Sequence, residues 1–471
     1  MAASVVQSAS LRRRNGAATA ISSRGKSYSV AEILKAAKAL AQQFSQVRQN
    51  LAARIGLNPP CVLLPSSQPA AFLAALIAAR MEGFISVPWR DAVIPPDAIA
   101  DAVRPDLKLH FDEGVIDRCS VKMLDSDAFI GERHGDIIMM TSGSTGQPKG
   151  VALVLDQILL NALSAGAVME IWKCTGWAID IDVGLMSGLN HLLMAWQFDL
   201  PCHHLSAGGD DIYETTFSTG AVGFGGSPIQ LVRMGNRLDS SCPVMMVSSG
   251  DFLMPSMIDQ VLERFPDTLV HKLYGLTELG GRFCCMPHQF LLGRKESAGL
   301  PLPGFRARVS AETGVIEARS PLLTAGYYLP GGDFSPMKDG WFSTGDVGSI
   351  DADGVVTLNG RSNDVFKVGG EKVDRHTIEV ELAPLLPAID YCVLAVEHRL
   401  LGQCAALFVV DSGSGDLPKW AEIVAHLRSR LHPRFIPSLM YKVEGALPRL
   451  ASGKIDRESL RSSHLSFQRL Q

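Results

Sequence analysis

Up to about residue 310, short apolar runs alternate with stretches whose apolar residues recur every three or four positions. The runs at 61–64, 85–88, 136–140, 178–182, 221–224 and 244–248 predict buried strands, since each is brief and bounded by turn formers or polar residues. Between them, 29–47 predicts a helix. Ser29 and Glu32 form a capping box, and Val30, Ile33, Leu34, Ala37, Leu40, Ala41 and Phe44 share one face. Strand and helix in alternation predict mainly parallel sheets covered by helices. Ligands in such folds gather at the carboxyl ends of the strands.

Beyond about residue 310 the rhythm shortens. Brief β-like runs such as 314–319 are divided by Gly331-Gly332 and by 351–354, which predicts a β-rich subdomain over about 310–360. From about 364 a different order sets in: a helix around 377–383, strands at 391–397 and 405–410, a helix around 420–431 and a strand near 440–443. The segment 411–415 reads as a hairpin or loop. About a hundred residues suffice for an independent unit. The predicted fold class is therefore α/β, with a large N-terminal domain over 1–362 and a small α+β C-terminal domain over 363–471.

Composition changes this picture little. The chain has 471 residues, 46% hydrophobic and 20% charged, which is ordinary for a globular protein with ample core. A formal charge of -4, with Arg12-Arg13-Arg14 as the strongest basic run, argues against a nucleic-acid partner. The nine cysteines are scattered and odd in number, so reduced thiols and a cytoplasmic location are the simpler expectation. Cys202-His203-His204 and Cys284-Cys285 lack the Cys-x-x-Cys spacing of a structural metal site. The most apolar stretch, 69–89, is broken by Arg80 and Glu82 and predicts no membrane span. The first 31 residues contain no Asp or Glu and share the Ser- and Arg-rich composition of an organellar transit peptide, an alternative that stays open.

Candidate chemistry begins at Thr141 to Gly150, which follows the run at 136–140. Gly143, Gly146 and Gly150 let backbone approach an anion. Thr141, Ser142, Ser144 and Thr145 offer hydroxyls, and Lys149 a positive charge. A phosphate-binding loop fits, although not the usual mononucleotide P-loop, because Pro148 precedes the lysine and Gly150 follows it.

Four further segments join this loop: Tyr274-Gly-Leu-Thr-Glu278, Phe342-Ser-Thr-Gly-Asp346, Gly360-Arg-Ser-Asn-Asp364 running on to Val373, and Pro448 to Arg457. Together the five resemble, in order and spacing, the motifs of the adenylate-forming superfamily, which includes acyl- and aryl-CoA synthetases, peptide-synthetase adenylation domains and luciferases. The resemblance covers about Lys26 to Arg457. It implies that a carboxylate attacks the α-phosphorus of ATP, expelling pyrophosphate and leaving an acyl-adenylate. Such a step concentrates negative charge, so backbone donors, a divalent cation and basic side chains carry the catalysis.

The same resemblance implies roles. The 141–150 loop holds the β- and γ-phosphates. Tyr274 stacks on adenine, Thr277 touches the α-phosphate and Glu278 binds Mg²⁺, a hard ion suited to carboxylate oxygen. Asp346 accepts from both ribose hydroxyls and Arg361 is a second ribose contact. Lys454 bridges the substrate carboxylate and the α-phosphate. The C-terminal domain is then expected to rotate about a pivot at Asn363, where relatives usually carry Asp or Lys, and to bring Lys367, Gly370 and Lys372 to the site for thiol attack.

By the resemblance, 183–190, 225–228, 248–253 and 276–281 wall the acid pocket. Leu185 stands where many relatives have an aromatic residue or His, and Gly184 and Gly188 hint at an altered pocket shape. The lining shows no obvious Asp reserved for an amino acid's ammonium, Asp182 and Asp251 being the only nearby candidates, so an aryl or medium-chain acid is favoured. The expected activity is an acid–thiol ligase using ATP, Mg²⁺ and CoA. One alternative loads the phosphopantetheine of a separate carrier protein. Another is a non-catalytic nucleotide-binding relative.

Overall fold

The computed structural model describes residues 19–469 apart from 24, 57, 91–95, 113–115, 117–118, 125–131, 143–147, 206–210, 363–364, 370, 387–388, 411–416, 450–454 and 464–467. The opening helix is Val30–Ile55, longer than the pattern at 29–47. Its capping box closes as expected: the Ser29 amide donates to Glu32 Oε2 at 2.8 Å and the Glu32 amide to Ser29 Oγ at 3.3 Å. The extra turns are held by tertiary contacts. Leu51 is buried, and Arg48 donates at 2.6 Å to the Glu82 carbonyl at the end of the neighbouring helix Pro69–Glu82.

That neighbour is buried from Pro69 to Ala79 and stops at Gly83, whose φ of 67° is the left-handed cap glycine tolerates best. The most apolar stretch of the chain is thus a core helix followed by the strand Ile85–Trp89. No described helix is long and apolar enough to cross a membrane.

Two large sheets follow from the alternation. Among the described residues, one has thirteen strands and the other eight. At the heart of the larger, Gly176–Ile179, Val222–Gly226, Met245–Ser248 and Leu269–Tyr274 run parallel, with Ala178 opposite Phe224, Phe224 opposite Met246 and Val247 opposite His271. In the smaller, Cys61–Pro65 lies parallel to Ile85–Trp89 and Leu107–Phe111. Antiparallel strands finish both. The α/β class is as expected. The run at 178–182 is displaced, its strand ending at Ile179, because Asp180 and Asp182 turn outward to polar partners at the carboxyl end.

The strands of 310–360 divide between the two sheets. Val315–Arg319, Phe342–Ile350 and Val356–Arg361 extend the larger, while Gly326–Tyr328 and Phe334–Pro336 extend the smaller beside Pro148–Leu153. This stitching brings the edges of both sheets to one cleft. From Val365 a third sheet has its own core around Val373, Ile378, Leu407 and Ile423. Its helix Arg375–Leu382 is capped by the Asp374 carboxylate, which accepts from the amides of His376 and Thr377. This C-terminal unit leans on the cleft, where the rings of Phe252 and His376 meet edge-on at 4.6 Å.

Candidate active site

Lys149 and Glu278 approach the cleft from different sheets. Lys149 lies on Pro148–Leu153, opposite Thr141 in the antiparallel pair with Ile137–Ser142. Glu278 lies beyond the end of Leu269–Tyr274, where Gly275 passes so close to Gly281 that a Cβ would stand 2.2 Å from its carbonyl oxygen. The chain then closes a 3₁₀ turn over Thr277–Leu279, ended by Gly280 at φ 71°. Lys149 Nζ reaches Glu278 Oε1 at 3.1 Å and stands 3.9 Å from the centre of the Tyr327 ring. The Tyr327 hydroxyl lies 3.5 Å from the same oxygen, and burial together with that carboxylate pushes its pKa up. Glu278 Oε2 has no hydrogen-bond partner among the described residues, which leaves a hard oxygen donor for a divalent cation.

Tyr274 and Asp346 form the second cluster. Asp346 stands opposite Arg361 in the pairing of Phe342–Ile350 with Val356–Arg361, and Arg361 Nε donates to its Oδ1 at 2.9 Å. The Tyr274 hydroxyl donates to Oδ2 at 2.5 Å. Thr344 fixes the turn by accepting from the Asp346 amide and donating to the Ile316 carbonyl. Burial and the Asp346 charge hold the Tyr274 pKa well above its ordinary value, so the phenol stays a donor.

Thr141, Lys149, Tyr274, Thr277, Glu278, Asp346 and Arg361 line one cleft of about 2020 Å³. That is room for a nucleotide and a second substrate, given that drug-sized ligands fill roughly 300–1,000 Å³. Ser142 is the last residue of the strand Ile137–Ser142. Lys367 is exposed on Val365–Val368 and is not part of the lining. Lys372 pairs with it across the hairpin. Gly143, Ser144, Thr145, Gly146, Asn363, Gly370 and Lys454 lie outside the described residues, as does the N-terminal segment before Thr19.

On the acid side of the cleft Gly184 and Gly188 are tightly packed. A Cβ on Gly188 would stand 2.1 Å from the Asp182 carbonyl oxygen and one on Gly184 2.7 Å from Ser66 Oγ, so both glycines serve close packing. Asp182 is already engaged by Arg90 at 3.3 Å and by the Gly184 amide at 2.7 Å, and Asp251 is exposed. Neither is reserved for an ammonium group.

Several residues of this wall escaped the sequence reading. Tyr327 carries no motif beyond an aromatic pair after Gly326. His191 and Arg282 join Ser187 and Ser249, which lie in the expected wall segments 183–190 and 248–253, in a polar cluster drawn from three separate stretches, so only folding brings its members together. Lys272 is also buried, donating to the Lys295 carbonyl at 2.7 Å beneath the Phe252 ring, and burial lowers its pKa to about 8.

Residues 132–328 match the family model described as AMP-binding enzyme. The chain is 28% identical over 371 residues to a 2-succinylbenzoate–CoA ligase of Bacillus velezensis, covering 72% of this chain and 74% of the relative. Its fold resembles o-succinylbenzoate CoA synthetase (MenE) from Bacillus subtilis in complex with an acyl-adenylate intermediate, with a TM-score of 0.80 and 20% identity over 97% of each chain. It also resembles ATP-bound MatB from Rhodopseudomonas palustris, with a TM-score of 0.78 and 20% identity over 98% of this chain and 99% of that one. The superfamily resemblance carried by the five motifs is borne out.

Proposed function

We propose that this protein, whose residues 132–328 match the AMP-binding enzyme model, is an acid–thiol ligase. It activates a carboxylic acid, aryl or medium-chain, as the acyl-adenylate and then transfers the acyl group to CoA. The observation that carries this reading is the convergence of Lys149, Glu278, Tyr274, Asp346 and Arg361 from separate segments on one cleft. Relatives named as 2-succinylbenzoate–CoA ligases make an aryl acid and CoA the first substrates to test.

In this reading Asp346, steadied by Tyr274 and Arg361, accepts from the ribose hydroxyls, since a carboxylate has acceptor capacity beyond two bonds. The Tyr274 ring flanks the adenine. Incoming phosphates draw Lys149 away from Glu278, a small loss, since a partly exposed ion pair contributes about 1 kcal/mol or less. The released carboxylate and Thr277 then face the phosphates. A Mg²⁺ ion bound at Glu278 would offset phosphate charge there. Lys454 neutralises the charge growing between the acid and the α-phosphate. The C-terminal unit next turns about Asn363 and presents Lys367, Gly370 and Lys372 to the thiol.

The test is a panel of carboxylic acids incubated with ATP and Mg²⁺, with and without CoA, read by pyrophosphate release and by mass spectrometry of thioesters. Acid-dependent pyrophosphate with an acyl-CoA product supports the ligase. Adenylate without acyl-CoA points to a separate carrier protein. Nucleotide binding without turnover on any acid contradicts the reading.

A further inference from the structure

Tyr327 stands where Lys149 and Glu278 meet in the cleft, and it belongs to none of the five motifs. It lies on Gly326–Tyr328, which pairs antiparallel with Pro148–Leu153 and sets Tyr327 opposite Val151. Lys149, two residues along from Val151, is therefore its diagonal neighbour on the same face of the sheet, within reach of a long side chain. The next residue, Tyr328, points to the other face, where it is fully buried and its hydroxyl donates to the His134 carbonyl at 3.0 Å. Anchoring falls to Tyr328, which leaves the Tyr327 ring to the cleft.

The segment leading into this strand also fixes Glu278. The Thr324 amide donates to the Glu278 carbonyl at 2.8 Å, and the Thr324 hydroxyl donates to the Ala152 carbonyl at 2.6 Å. One pair of strands thus sets Lys149, Tyr327 and the Glu278 backbone together.

Each end of the Tyr327 side chain meets a different charge. The ring face takes the Lys149 ammonium, 3.9 Å from its centre, and the hydroxyl lies 3.5 Å from Glu278 Oε1. Burial and that carboxylate keep the phenol protonated, so it donates. Lys149, bonded to Glu278 at 3.1 Å, neutralises the carboxylate that a cation needs, and this pair opens when phosphates arrive. A ring face carries no net charge. It holds one side of the ammonium while the other turns to an anion, which a carboxylate partner would contest. As Lys149 leaves Oε1, the Tyr327 hydroxyl is the donor that remains beside that oxygen, and Oε2 is left to the metal.

We propose that Tyr327 is a positioning residue for both charges: its ring holds the Lys149 ammonium toward the phosphates, and its hydroxyl keeps Glu278 Oε1, turning Oε2 to a divalent cation. This rests on the adenylation reading and adds to it a residue that acts on the nucleotide through its two neighbours.

The experiment measures ATP affinity by calorimetry in EDTA, and the Mg²⁺ concentration that half-maximally changes ATP binding, for wild type, Tyr327→Phe and Tyr327→Leu. The phenylalanine keeps the ring and loses the hydroxyl, whereas the leucine loses both. In EDTA, Tyr327→Phe is expected to bind ATP within about twofold of wild type and Tyr327→Leu about threefold or more weakly. The Mg²⁺ midpoint is expected to rise about fivefold or more in both variants. A residue that only packs would lower the melting temperature and leave the ATP affinity and the Mg²⁺ midpoint unchanged. An unchanged midpoint in Tyr327→Phe overturns the role of the hydroxyl, and undiminished ATP affinity of Tyr327→Leu in EDTA overturns that of the ring. Should Tyr327→Leu fail to fold, Tyr327→Phe alone decides. These readouts need no acid. If no acid elicits pyrophosphate release, the adenylation reading fails and the calorimetry still decides this one, whereas a wild-type protein that binds no ATP overturns both.

Discussion

Tyr274 and Asp346, 72 positions apart, meet in a 2.5 Å hydrogen bond in the lining of the cleft, with Arg361 on the other carboxylate oxygen. A floor built this way presents oriented acceptor lone pairs rather than a loose charge. Replacing the acid by Asp346→Asn removes an acceptor and leaves Arg361 facing an amide. ATP affinity is expected to fall by about tenfold or more, since hydrogen bonds to a charged group contribute roughly 1.5–3 kcal/mol. Isothermal calorimetry measures it, and undiminished ATP affinity would count against the ribose assignment.

Glu278→Gln separates nucleotide binding from catalysis. The amide keeps the shape, and removes the charge that Lys149 now neutralises and that a divalent cation would need. Pyrophosphate release is expected to drop by about a hundredfold, a loss of roughly 2.7 kcal/mol of transition-state stabilisation. ATP binding measured in EDTA should stay close to wild type or strengthen. Equal losses in both would mean that Glu278 serves the fold instead.

Much of this architecture was legible in the chain. The capping box at Ser29 and Glu32 and the runs at 61–64 and 85–88 became the expected elements because their signals are local. Tyr274, Glu278 and Asp346 could be singled out because each sits in a short motif, Tyr274 at the end of a strand, Glu278 just beyond it and Asp346 within Phe342–Ile350. His191 and Arg282 were illegible for the opposite reason. A histidine within an apolar helix and an arginine after two glycines carry no local pattern, and their meeting depends on how that helix crosses the sheet. What the glycines near 184–188 make room for was not legible either, because it is decided by the groups they approach, Ser66 for Gly184 and the Asp182 carbonyl for Gly188.

Arg133 and Asp106 form an ion pair with both side chains 1% exposed, and the pair ties the strand Cys61–Pro65 through the Cys61 amide at 2.8 Å. Asp106→Asn leaves a buried guanidinium without its counter-charge. The expected cost is about 3–5 kcal/mol, read from the shift of the urea midpoint. Asp106→Leu combined with Arg133→Met should recover a large part of it.

His271 is buried without a described hydrogen-bond partner on either ring nitrogen, and its pKa is pushed down to about 3 from 6.5, chiefly by burial. Between those values the unfolded chain binds a proton and the folded one does not, so stability falls as pH drops from 6.5 toward 3. The slope from this group approaches about 1.4 kcal/mol per pH unit. Thermal unfolding at a series of pH values should show a shallower acid limb for His271→Leu than for wild type. Parallel limbs would assign the acid sensitivity to other groups.

The account stands on acid-dependent adenylation, and the exchange of labelled pyrophosphate into ATP tests it most directly. The account predicts exchange that requires a carboxylic acid and that falls by about a hundredfold or more in Lys454→Ala, with ATP still bound. ATP binding without acid-dependent exchange across aryl and medium-chain acids, or exchange untouched by the Lys454 substitution, would contradict it.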